Sequence, residues 1–247
     1  MNALSNFWRE RTHHLDKMTL RELIIAYFQY PAVIAYIILL FPSTYLAIIP
    51  WQHGAHTHWA LLLTAAITAI LVYPAVWYLL HRFVLHGQFL YRSPITAALW
   101  KRIHYDHHQD PNNLRVLFGA LYTTLPTVAI VTMTVGNLIG GYQGAAAAFA
   151  AGLGTTLVYE FCHCIQHLRY VPKSQFLRRI KRLHLLHHFH NENGNYGITN
   201  YFWDKLSGTF YGQSNDKPSS PTVFNLGYSE QERDRYPWVA KLTETTR

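Results

Sequence analysis

Residues 59–86, WALLLTAAITAILVYPAVWYLLHRFVLH, run for 22 positions without a charge and then present two histidines, His81 and His86. A bilayer core takes about 20 apolar residues per helix, so the stretch reads as a membrane span that ends in metal-binding side chains. Three further uncharged runs lie at 24–49, 116–139 and 144–159. The last is short, and spans a bilayer only if its helix continues through Glu160 to about His163. Pro31, Pro42, Pro74 and Pro126 sit inside these runs, where spanning helices tolerate them. Half of the chain is hydrophobic and only 14% is charged, against about 25% in a soluble domain. The expected fold is therefore an all-α integral membrane protein with four transmembrane helices, at about 24–49, 59–80, 116–139 and 144–163.

Lys and Arg set the orientation. Four precede the first span, five lie between the second and third, and twelve follow the fourth, which accounts for all 21. Positive residues mark the cytoplasmic side, so both termini and the 81–115 loop are expected there. The net charge of +8 then serves topology and anionic headgroups, and no nucleic-acid partner is expected. The first run follows a charged arm and has no small-residue cleavage site after it, so it reads as a span rather than a signal peptide. The expected organisation is a cytosolic arm 1–23, a membrane domain 24–212 whose helical cap (81–115 and 164–212) faces the cytosol, and a polar, peripheral tail 213–247. Cys162 and Cys164 are too close to bridge and read as packing residues.

Ten of the sixteen histidines fall into four clusters near the cytoplasmic ends of spans: His81 and His86; His104, His107 and His108; His163 and His167; His184, His187 and His188. Steps of three and four place side chains on one helix face. The step of five from His81 to His86 suits a helix end or a π-type widening. Neutral imidazole is a common ligand of transition metals, and ten exceed the needs of one ion. Two ions, each taking four or five nitrogens, would use them. His13, His14, His53, His56 and His58 read as ordinary polar residues, and His190 as either a supporting group or a surface residue. Carboxylates beside the clusters, Asp106, Glu160 and Asp204, are candidates to hold ring N–H groups and offset the ions' charge.

The order HX4H, HX2HH, HX3H, HX2HH resembles the membrane-bound fatty acid hydroxylase/sterol desaturase superfamily over roughly residues 70–212. HRFVLH, AAGLGTTLVYEFCHCIQH, IKRLHLLHHFH and GITNYFWDKLSGTF look closest to its fatty acid 2-hydroxylases. The resemblance implies a non-haem di-iron oxygenase, with the ten clustered histidines as ligands and no catalytic residue beyond the metal centre. Its substrate would be a membrane lipid, oxidised with O2 near the polar end of its acyl chain. It also makes Asn193 and Tyr196 candidates for substrate or supporting contacts, and Trp203 and Asp204 structural residues of the cap. Relatives often carry a cytochrome b5 domain; the arm has no HPGG haem motif, so a separate donor, cytochrome b5-like or ferredoxin-type, is expected. Imidazole sites prefer Zn to Fe(II), so purified protein can hold zinc where iron works.

Two alternatives stay open. One is a sterol- or carotenoid-type hydroxylase or a desaturase of the same superfamily. The other is a non-enzymatic metal-binding or haem protein. The membrane is bacterial inner membrane or endoplasmic reticulum.

Overall fold

The computed structural model describes residues 13–49 and 57–244; Arg9, Arg11, His53 and His56 lie outside them. The described residues are helical, with one isolated β-bridge, His14 to Asn113. The chain divides into two compact units.

The first unit, residues 24–76 and 119–161, holds most of the apolar sequence. Among the described residues, three helices are long and apolar enough to cross a membrane: Pro31–Ile48, Trp59–Leu85 and Leu114–His167. The run at 24–49 is not one helix. It is divided between α1 (Leu20–Gln29) and α2 (Pro31–Ile48), with Tyr30 extended at φ −71°, ψ 129°. Proline disfavours helical backbone in the residue before it and suits the first helical position; Pro31 thus ends one helix and starts the next. α3 (Trp59–Leu79) follows. The long α5 (Leu121–His167) breaks at Gly140 and Gly141, the latter at φ +60°. That break is a reversal, because residues on either side of it pack together. A Cβ at Gly136 would collide with the Gly144 carbonyl, and one at Gly152 with Thr132 and Val128. Small residues let the backbones approach, as in other membrane helix pairs. Ala65, Ala69 and Ala148 pack beside Ile139 and Ala151. Large apolar side chains cover the outside, including Leu71, Ile130 and Leu138, the arrangement a lipid solvent favours over water.

The second unit comprises residues 1–23, 77–118 and 162–247 and contains all ten clustered histidines. Two π-helical segments, Leu80–Leu85 with His86 at its C-cap and Lys101–Tyr105, and the short α4 (Asp106–Gln109) supply the first five. The step of five anticipated between His81 and His86 is met by the wide turn, where the His86 N–H donates to the His81 carbonyl at 3.1 Å. The C-terminal end of α5 supplies His163 and His167. α6 (Gln175–Phe189), capped by the Ser174 hydroxyl, buries Ile180, Leu183, His184, His187 and His188 along one face.

The arm and tail are less peripheral than their polarity suggested. Leu15 is fully buried, and its N–H donates to Asn112 O at 2.8 Å. Leu226, Tyr228 and Val239 join Tyr91, Ala97, Trp100 and Tyr105 in a core. A few apolar anchors spaced through a polar segment suffice to bury it, and average polarity hides them.

Candidate metal centre

The ten histidines gather into two groups of five. One is His81, His86, His104, His108 and His187; the other is His107, His163, His167, His184 and His188. Within each group, one ligand atom from every residue lies within 4.8 Å of the rest. Helical register explains the sorting. Each HX2HH element sends its i, i+4 pair to one group and its middle histidine to the other. His104 and His108 thus join His81 and His86, while His184 and His188 join His163 and His167. The single residues His187 and His107 cross over. Each group is therefore two pairs and a singleton, and the adjacent pairs 107/108 and 187/188 connect the groups. The rings of His108 and His188 lie 4.3 Å apart, centroid to centroid.

Backbone carbonyls fix the tautomers. A carbonyl only accepts, so Nδ1–H must donate from His81 to Tyr196 O (2.5 Å), from His108 to Val223 O (2.8 Å) and from His187 to Gly194 O (2.7 Å). In neutral rings this leaves Nε2 with its lone pair. The Nε2 atoms of His81, His86 and His104 stand 2.9–3.3 Å apart, and those of His167 and His184 2.9 Å apart. Adjacent nitrogens bonded to one ion at about 2.0–2.1 Å would stand about 3 Å apart, so these spacings fit. Further ring nitrogens of His107, His108, His163, His184, His187 and His188 are buried without a hydrogen-bond partner. Buried polar atoms in a native protein are almost always satisfied; a metal in each group would take one nitrogen from each ring.

Burial holds His86, His104, His107, His184, His187 and His188 well below the ordinary imidazole value of 6.5, and neighbouring imidazoles push the same way. Burial pushes His108 down to about 3. Neutral imidazole is the ligating form. The unfolded chain takes up protons below pH 6.5 that the folded one refuses, so folding stability present above that pH is lost as pH falls. Metal-depleted protein in detergent is expected to keep its melting temperature from about pH 8 to 7 and to lose it steadily from about pH 6.5 to 5. Circular dichroism melts would show this; a midpoint that rises on acidification would mean charged imidazoles in the fold.

The other sequence-selected residues divide. Tyr196 is at the site: its carbonyl holds His81, and its ring packs on His81, His86 and His187 at 5.1–5.7 Å. Asp204, fully buried, accepts from Tyr196 N and Gly197 N at 2.8 Å each, and from Thr209 Oγ1 at 2.8 Å. It thus fixes the loop that presents Tyr196. Asp106 pairs with Lys101 Nζ at 2.7 Å. Asn193 is exposed and donates to Glu192 Oε1. Glu160 is buried in the other unit beside Gly119. His190 Nε2–H donates to Lys217 O at 2.7 Å, away from both groups. Sequence reading did not find the carbonyls of Gly194 and Val223, nor Asn195. Asn195 is fully buried at φ 53° and binds the Tyr211 backbone through both amide atoms, at 2.9 and 3.1 Å. A backbone carbonyl leaves no mark in residue type. Asn195 did leave one, since asparagine favours positive φ.

Known proteins are similar to this chain. A model of the family described as fatty acid hydroxylase matches residues 66–209. The ceramide very long chain fatty acid hydroxylase of Saccharomyces cerevisiae is 32% identical over 148 residues, 58% of this chain and 37% of that protein. A dihydroceramide fatty acyl 2-hydroxylase of Arabidopsis thaliana is 30% identical over 149 residues, 58% of this chain and 59% of its own length. The chain thus spans less than two thirds of either relative. The solved hydroxylase domain of scs7p aligns with a TM-score of 0.64 and 26% identity, over 78% of this chain and 69% of that one.

Proposed function

The chain belongs to the fatty acid hydroxylase family, and from that premise we propose that it hydroxylates a membrane acyl lipid next to the polar end of the chain, at carbon 2. The observation that carries this reading is the pair of buried five-imidazole groups with unpartnered ring nitrogens. All ten histidines are proposed as ligands to two ions, one per group, and iron as the working metal. Bound iron would supply activation of O2 at the expense of two electrons. Overall, a C–H bond, O2, two electrons and two protons give C–OH and water.

The protein's own residues do the remainder. Tyr196, Val223 and Gly194 hold three imidazoles in the ligating tautomer through their carbonyls. Burial keeps imidazoles neutral and excludes competing water. We place the site on the cytoplasmic side of a four-pass fold, counting the two limbs of α5 separately; the distribution of Lys and Arg supports that orientation. The electrons come from a separate carrier. The substrates named for the two relatives make an N-acyl sphingoid lipid the first to test.

Lipids from cells expressing the intact chain should gain a species about 16 mass units heavier than the parent acyl lipid, one oxygen, with fragmentation placing it at carbon 2. A loss of two hydrogens instead would identify a desaturase. No change in any lipid class, from protein loaded with iron and supplied with reductant, would sink the hydroxylase reading.

A further inference from the structure

The outer face of α6 has no role in that chemistry, yet it concentrates charge. No acidic residue occurs from Phe161 to Asn191, while Arg169, Lys173, Arg178, Arg179, Lys181 and Arg182 all fall there. Among the described residues, ion pairs join Arg92 and Arg235 to Glu232 and Lys101 to Asp106; none engages these six. Lys181 is used internally, its Nζ donating to the carbonyls of Leu168 and Tyr170. Arg178 and Arg182 are exposed. They rim a groove of about 450 Å³ floored by Val171, Leu185, Leu186 and Phe189.

The groove's position matters more than its charge. Leu185, Leu186 and Phe189 alternate along α6 with His184, His187 and His188, so the groove lies behind the turns that present those imidazoles. One helix width, about 10–12 Å with side chains, separates the surface from members of both groups, His187 in one and His184 and His188 in the other.

We propose that this groove is the docking face for an acidic one-electron carrier protein, which seats an apolar residue on the floor between Arg178 and Arg182. The proposal rests on the hydroxylase reading, whose balance requires two external electrons. Two carrier molecules each lose one electron, the two protons come from solvent, and O2 is reduced to the product hydroxyl and water. An anionic bilayer would use the same charges, but it would gain nothing from a groove behind the imidazoles.

The probe is a soluble, acidic cytochrome b5-type haem domain, titrated onto the full chain in neutral detergent. Arg178→Glu with Arg182→Glu should weaken its binding roughly tenfold or more at low salt and flatten the salt dependence. Arg179→Glu changes charge on the same helix outside the groove and should weaken binding less than about twofold. Bound metal should be unchanged in both. Equal binding by all three proteins overturns the proposal, and so does equal weakening by Arg179→Glu. Loss of binding to phosphatidylglycerol vesicles with the haem domain still bound overturns it in favour of lipid. Wild-type turnover with dithionite as reductant is measured in parallel. Groove-dependent binding without any hydroxylated product would support the docking face and sink the hydroxylase reading.

Discussion

Alanine at His187 or at His188 is expected to abolish product, with turnover falling more than about a hundredfold, while the protein stays in the membrane. Loss of a group that merely supports a ligand costs about 10–100-fold in metal affinity or activity, and removal of a ligand should exceed that. The two variants differ in where the loss falls. His187 belongs with His81, and His188 with His163, so each neighbouring substitution should release a different ion and leave about half of the bound metal. His187→Ala also strands the Gly194 carbonyl that its ring nitrogen meets at 2.7 Å. Elemental analysis of purified variants, with lipid mass spectrometry, checks both parts. Full metal content and full turnover in either variant would show that the groups are not ligand sets.

The second large effect is expected at a residue that touches no metal-facing nitrogen. Asp204 accepts three hydrogen bonds in a fully buried position, and bonds to a charged group contribute about 1.5–3 kcal/mol each. Burial raises its carboxyl above the ordinary value, and the three donors aimed at it pull the other way. Asp204→Ala leaves the N–H groups of Tyr196 and Gly197 unpaired in the interior. Since such losses are not additive, a destabilisation of at least about 3 kcal/mol is expected. Asp204→Asn keeps an acceptor and should fall between. Both should loosen the Tyr196 carbonyl and hence His81, so metal should leave the group containing His81 first. Denaturant melts with metal analysis would test this; unchanged stability in Asp204→Ala would refute the role of that carboxylate.

The helical membrane fold could be read from uncharged runs because lipid imposes a compositional rule that water does not. The break at Tyr30 was also visible, as a proline, but hydropathy averaged across it. The ten histidines declared themselves by spacing, and the wide turn at 80–85 by a step of five. Their division into two groups was latent in the same numbers, since a step of four shares a face more closely than a step of three. What sequence could not supply was the backbone: the carbonyls of Gly194, Tyr196 and Val223 act through atoms common to every residue. Of the carboxylates near the clusters, Asp204 fixes the loop that presents Tyr196, whereas Asp106 pairs with Lys101, which carries the opposite charge.

The carbonyls that orient His81 and His108 each lie 115 residues downstream of their imidazoles. Chains grow at about 5–20 residues per second, so each ring emerges about 6 to 23 seconds before its partner exists. During that interval the rings of His81 and His108 lack the carbonyls that set their tautomers. Val223 is the last of the three orienting carbonyls to be synthesised, so the tautomers of His81, His108 and His187 are all set only once the chain has passed it.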